Sequence, residues 1–255
     1  MFLIEDRLSD SPLVERVWQA RSESAETFLS VAASHFQMVV TRHKGRTFLT
    51  LRGPETKATM ADGPAGGEWL GIDFKLGTFV PTLLPGNLLD RRDVRLPSAS
   101  THAFWLNGSA WEYPSFENAD VFASRLVRTG VIACDSIVDA VTHQRSETLS
   151  LRSTQRHFLR ATGITYATWR QIERARYATR LLRQGVSIFD TVYQAGYFDQ
   201  PHLTRSLTRR LGQTPAQIIR GDRQLSLLYK TETLPESDNP CRRRRIHTYG
   251  QNHRD

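Results

Sequence analysis

The sequence predicts an α+β protein. Its N-terminal half is β-rich, a barrel or a sandwich, and its C-terminal half is an all-α module. Three observations predict this. Short apolar and β-branched runs punctuated by Gly and Pro fill the first half. Helix-length patterns with cap and stop residues fill the second. The charge is also uneven: residues 1–130 hold 14 Lys+Arg against 15 Asp+Glu, whereas residues 131–225 hold 14 against 7, and all fourteen of those cations are arginine. With 39% hydrophobic and 24% charged residues in 255, the chain has the composition of one large or two ordinary globular domains.

In order along the chain, residues 27–51 contain two apolar runs around a turn at His43–Lys44–Gly45–Arg46. Val39 to Thr41 and Thr47 to Leu51 flank that turn as strands, and Gly53–Pro54 ends the second. Loops are expected at Gly63–Pro64, Gly66–Gly67 and from Pro81 to Asn87, with a strand from Glu68 to Phe74 between them. The aromatic run Phe104, Trp105, Trp111, Tyr113 and Phe116 fits either a ligand pocket or the apolar hinge where the sheet meets a helix. That helix runs from Asn118 to Arg128, with Ala119, Phe122, Ala123 and Leu126 on one face and Gly130 as its stop. The spacing of His35, His43 and His102 fits no compact metal-ligand motif, so these read as surface or hydrogen-bonded histidines.

Near residue 130 the pattern turns helical, which divides the chain into 1–130, 131–225 and a polar, aperiodic, basic tail over 226–255 expected to be disordered. Asp135 to Gln144 reads as an amphipathic helix. Ser150 then caps a second one, closed by Gly163, with Leu151, Phe158 and Leu159 near one face. Arg152, Arg156 and Arg160 recur every four residues as a cationic stripe, and Gln155 between them can pair bidentately with adenine. Tyr166 to Arg183 is a proline-free, glycine-free helix. From Ser187 to Pro215 come a short helix ended by Gly196 and a second one capped by Asp199, with Pro201 in its first turn. Leu203, Leu207 and Leu211 form its apolar stripe, and His202, Thr204, Arg205 and Arg209 lie opposite. A glycine turn before a helix with a basic outer face makes a helix-turn-helix, whose second helix enters the major groove of DNA.

GYFDQPHLTRSL followed by GQTPAQI resembles the second helix-turn-helix of AraC-type transcriptional regulators, LSLRSTQRHFLRATGIT resembles the recognition helix of their first, and Tyr166 to Arg183 resembles the helix that joins the two, so the resemblance implies an all-α module of two helix-turn-helix units joined by a linker helix. The N-terminal half is similar, more loosely, to the cupin-like sensor half of some of these regulators, without the histidine pattern of enzymatic cupins. The resemblance implies a sequence-specific DNA-binding regulator with no catalytic residues, no metal and no cofactor. Its DNA-binding residues would be Arg152, Ser153, Gln155, Arg156 and Arg160 in the first unit, and Gln200, Pro201, His202, Thr204, Arg205 and Arg209 in the second. The implied partner is double-stranded DNA. A small-molecule effector, a homodimer mate and RNA polymerase are the further partners open to such a protein. Val192 stands where the family most often has alanine, and Phe189 is bulkier than usual; both positions are expected to be buried.

Nothing in the sequence approaches a membrane-spanning run, and the start MFLIEDRLSD carries acids where a signal peptide carries bases, so a cytoplasmic location is expected. Two alternatives stand beside the regulator. A DNA-repair methyl-acceptor with an AraC-like module needs a thiolate cluster, which Cys134 and Cys241 do not supply. A stand-alone small-molecule-binding barrel leaves the arginine-rich half unexplained.

Overall fold

The computed structural model describes residues 2–90, 93–142 and 150–221. The tail over 226–255 and the end of the helix expected to reach Gln144 lie outside the described residues. The chain opens with β1 (Phe2–Leu8), β2 (Val14–Ser22), β3 (Glu26–Ser30), β4 (Gln37–His43), β5 (Arg46–Arg52), β6 (Thr59–Gly63) and β7 (Glu68–Phe74). Short strands β8 (Thr78–Phe79) and β9 (Val94–Arg95) flank a 3-10 turn at Pro85–Leu88. Then come β10 (Ala103–Leu106), β11 (Ser109–Glu112), α1 (Ala119–Arg128) and β12 (Ala133–Cys134). The helical part comprises α2 (Ser136–Thr142), α3 (Leu151–Thr162), α4 (Tyr166–Arg183), α5 (Ile188–Gln194), α6 (Gln200–Leu211) and α7 (Pro215–Arg220).

Six strands form one antiparallel sheet in the order β1-β2-β7-β4-β5-β9. The β4–β5 hairpin turns on Lys44 and Gly45, at φ 49° and 71°. Two consecutive positive φ values suit the right-handed twist of a tight hairpin, and Gly45 adopts one without strain. Strand alternation sorts the side chains onto two faces. Val17, Met38, Val40, Leu49, Leu51, Leu70 and Ile72 point to one, where Phe104 and Trp111 of the β10–β11 hairpin and Ala119, Ala123 and Leu126 of α1 close the main core. The aromatic run thus packs as core: Phe104 lies 5.4 Å from Tyr113 and 6.3 Å from Phe122. Trp105 is the exception and remains 47% exposed. Trp18, Ala20 and Val39 point to the opposite face, partly covered by the β3–β6 hairpin through Phe28. The N-terminal half is thus β-rich as expected, one six-stranded antiparallel sheet whose core face is closed by the β10–β11 hairpin and α1. The β1–β2 hairpin is not anticipated by the sequence pattern: no glycine marks its turn, and its charged residues obscure the alternation.

The opposite face carries a buried polar network. Asp73, 1% exposed, accepts from Trp18 Nε1 at 3.0 Å and from Arg16 Nη2 at 3.1 Å. His35 lies 3.8 Å from the same carboxylate, and its Nε2 accepts from the Gln37 amide at 2.9 Å. Burial pushes the His35 imidazole down to about 4, against the pull of Asp73. Gly71 lets the Trp18 indole cross the strand, because a Cβ there would fall inside van der Waals distance of the ring.

The two halves share cores. Leu29 and Val31, at the end of β3 and just beyond it, are buried with Ala178 and Leu182 of α4 and with Leu203, Leu207 and Leu211 of α6. Ala32 and Phe79 are buried with Phe158, Ala161, Trp169 and Ile172 of α3 and α4. β12 pairs with β8, so the chain re-enters the N-terminal half before α2 begins.

The polar network makes stability depend on pH. A histidine whose folded pKa is depressed from 6.5 binds its proton less well when folded, so its contribution is whole above pH 6.5 and is lost as pH falls toward about 4. His35→Gln removes that dependence. Between pH 7 and pH 4.5 the parent should lose roughly 2–3 kcal/mol more stability than the variant in urea unfolding. Parallel losses would place the ring in solvent. Gly71→Ala should cost about 1–3 kcal/mol, because the indole cannot swing away without releasing Asp73. Unchanged thermal unfolding would show that the ring is free to move.

Candidate nucleic-acid interface

Each helical unit is assembled by local signals. In the second, the Ser187 hydroxyl accepts from Asp190 N at 3.0 Å and starts α5, and Gly196 at φ 69° ends the turn after it. Asp199 Oδ1 accepts from His202 N at 2.6 Å and starts α6. Each cap satisfies a donor that the first turn leaves without an intrahelical partner. Leu203, Leu207 and Leu211 are at most 1% exposed, and truncating one such leucine typically costs about 2–5 kcal/mol. Tyr197 fills the angle between the helices. Its hydroxyl meets Ser206 at 3.0 Å, His202 stands edge-on to it at 5.1 Å, and the Arg174 guanidinium lies 4.4 Å over its ring.

With that face buried, α6 turns Gln200, Pro201, Arg205, Thr208 and Arg209 to the outside. Pro201, Arg205 and Arg209 follow at four-residue steps and so share one stripe. Thr204 is half-buried beside it, and so is His202, whose Nδ1 is also within 3.5 Å of Phe198 N. Thr208 joins the exposed face, although nothing in its sequence position beside two arginines singles it out. Arg210 departs from its neighbours. It is 5% exposed, and its guanidinium donates to the Thr56 carbonyl and, at 2.6 Å, to Gln171 Oε1.

In the first unit, the Ser150 hydroxyl accepts from Ser153 N at 3.2 Å and starts α3, and Gly163 at φ 74° closes it. Arg152, Gln155, Arg156 and Arg160 are exposed along one face, and Ser153 is half-buried at the cap. Phe158, Ala161 and Thr162 face inward. Leu159, expected near the buried face, is 50% exposed among the arginines, because one turn onward from Gln155 it falls on the outer ridge. His157 instead ties α3 to the start of α2, with Nδ1 3.0 Å from Asp135 Oδ2. Phe189 corrects a further expectation. It is 82% exposed, because α5 meets the core with Thr191 and Ala195, whereas Val192 is half-buried against the same core.

The structure therefore presents an exposed arginine-bearing face on each of α3 and α6. Arginine's planar fork suits both phosphate oxygens and the guanine edge. Elsewhere, a cavity of about 200 Å³ lies between the sheet and the β3–β6 hairpin, lined by Trp18, Phe28, Gln37, Arg52, Glu55 and Trp69 among others. Among the described residues no three His, Cys, Asp or Glu side chains are grouped to hold a metal ion; His35 precedes β4, His43 ends it and His102 precedes β10. Among the same residues no helix is long and apolar enough to cross a membrane.

Residues 145–221 match the family described as "Helix-turn-helix domain". The HTH-type transcriptional regulator RipA of Corynebacterium glutamicum is 34% identical over 73 residues, which are 29% of this chain and 22% of that protein. The chain thus spans less than a quarter of that regulator's length. A solved structure of ToxT from Vibrio cholerae aligns over 86% of this chain and 98% of its own, at 11% identity and a TM-score of 0.33. The match to the helix-turn-helix family covers α3 to α7 and both exposed arginine faces, so residues 145–221 of this chain are similar to the helix-turn-helix domains of AraC type.

Proposed function

We propose that this protein is a sequence-specific DNA-binding transcriptional regulator, and that it reads two successive major grooves with α3 and α6. Such grooves lie about 34–36 Å apart on one face of the duplex. The observation that carries the reading is the sorting of arginines. Arg152, Arg156 and Arg160 on one helix and Arg205 and Arg209 on the other are exposed, whereas the apolar faces beneath them are buried. On this reading Arg152, Ser153, Gln155, Arg156 and Arg160 serve the first half-site. Gln200, Pro201, His202, Thr204, Arg205 and Arg209 serve the second, with Pro201 packing against the backbone and Arg205 taking a guanine. Leu159 and Thr208 join them: an exposed aliphatic side chain in the groove suits a thymine methyl group.

Residues 1–130 then act as the sensor and dimerisation part and 131–225 as the DNA-binding part, in a cytoplasmic protein that performs no catalysis. The cavity between the sheet and the β3–β6 hairpin is our site for the effector. Its indole and phenyl walls beside Gln37, Arg52 and Glu55 suit a compact ring compound that can also hydrogen-bond. The methyl-acceptor alternative asks for an activated thiolate, but partial desolvation raises the pKa of the surface thiol of Cys134.

The reading is tested by selecting sites for the purified protein from a random-sequence duplex pool. Two half-sites about one helical turn apart are expected. Arg205→Ala should relax preference at one base pair of one half-site, at a cost of about 1–3 kcal/mol in discrimination. A uniform loss over all sequences would make Arg205 a phosphate contact, and a pool without enrichment would overturn the proposal.

A further inference from the structure

The last carbonyls of any helix lack intrahelical donors. In α6 two of them are served from the other half of the molecule. Ala58 N donates to Arg209 O at 2.9 Å, and Ala32 N donates to Arg210 O at 2.8 Å. The Arg210 side chain turns the same way and reaches the Thr56 carbonyl, as well as Gln171 on α4 at 2.6 Å. Gly212, at φ 68°, leaves the space into which Leu29 packs. All these bonds leave the exposed face of Arg205 and Arg209 uncovered.

The segment making these contacts also reaches the first unit. Leu29 and Val31 enter the core beneath α6, and one residue later Ala32 enters the core beneath α3. The same few residues therefore join both reading helices, alongside α4. An arginine held by two acceptors on different elements cannot rotate with its helix without breaking a charge-assisted bond.

We propose that Arg210 is a positioning residue: bonded to Thr56 and Gln171, and backed by the Leu29–Ala32 segment, it fixes α6 relative to α3 and so sets the half-site spacing that the protein selects. This inference rests on the two-groove reading. It assigns Arg210 no contact with DNA, although it sits in the recognition helix beside Arg209. One inserted base pair shifts the second half-site by about 3.4 Å and rotates it by roughly 34°, which a rigid pair of helices cannot follow.

The experiment uses the full chain and the duplex selected above, together with versions one base pair longer or shorter between the half-sites. The parent should disfavour both altered spacings by about ten- to a hundredfold. Arg210→Ala should bring the three duplexes to within about threefold of one another while base preference inside each half-site stays as in the parent. Arg210→Lys keeps the charge but offers one ammonium in place of a fork, and should fall between them. Thermal unfolding reports whether each variant is folded; should Arg210→Ala not fold, Leu29→Ala loosens the same contact and carries the same expectation. A folded variant with the parent's spacing discrimination overturns the inference and leaves the two-groove reading intact. Loss of base preference along with spacing also overturns it, because Arg210 would then act on the reading face itself. A parent indifferent to the second half-site overturns the two-groove reading, and this inference with it.

Discussion

Main-chain hydrogen bonding at the end of α6 is the constraint on which the rest of the arrangement depends. A buried carbonyl without a donor costs about 1–3 kcal/mol, so the end of α6 must find partners. It finds them in the N–H groups of Ala32 and Ala58. These backbone bonds fix where the sheet half stands against the helical half. The apolar contacts of Leu29, Val31, Ala32 and Phe79 follow from that placement. The halves are consequently not beads on a linker, since each helical unit completes its core with residues of the N-terminal half.

The same geometry gives the proposed regulator a short mechanical path. Ser30 donates to Glu55 Oε2 at 2.9 Å, Ala33 and Glu55 exchange backbone hydrogen bonds, and Arg52 Nη2 reaches Glu55 Oε1 at 2.6 Å. Ser30, Val31, Ala33, Arg52 and Glu55 line the cavity in which we place the effector. The intervening and adjoining residues Leu29, Val31 and Ala32 lie in the cores beneath α6 and α3. A ligand that moved this strand by a fraction of an ångström would act on α3 and α6 together, because packed cores shift between discrete arrangements and do not deform smoothly.

The reliance on arginine has a physical sense in both settings where it occurs. On the exposed faces a planar fork can hold a guanine edge or a phosphate. At Arg210 the same fork is buried and holds a carbonyl and an amide oxygen, where a compact, strongly hydrated ammonium would be costlier to desolvate. One residue type thus occupies both an exposed helix face and a buried, hydrogen-bonded site. Arg209 and Arg210 are neighbours in the chain and differ in which side of the helix they occupy.

Short-range signals in the chain are enough to specify most of the local elements. The caps Ser150, Ser187 and Asp199, the positive-φ glycines Gly163, Gly196 and Gly212, and the leucine stripe of α6 act within a few residues, so α3, α4, α5 and α6 are legible in the amino-acid sequence alone. The β4–β5 hairpin and β7 are legible for the same reason. The β1–β2 hairpin is not, since its turn lacks glycine and its strands interleave charges whose partners, such as Asp73 for Arg16 and Asp120 for Arg7, lie far away in the sequence. The outward turn of Leu159 and Phe189 and the burial of Arg210 are equally hidden, because periodicity locates a face without saying what will cover it. That Leu29, Val31, Ala32 and Phe79 complete the helical cores is a matter of tertiary packing. Those contacts join residues from opposite halves of the chain, and no local pattern encodes such a meeting.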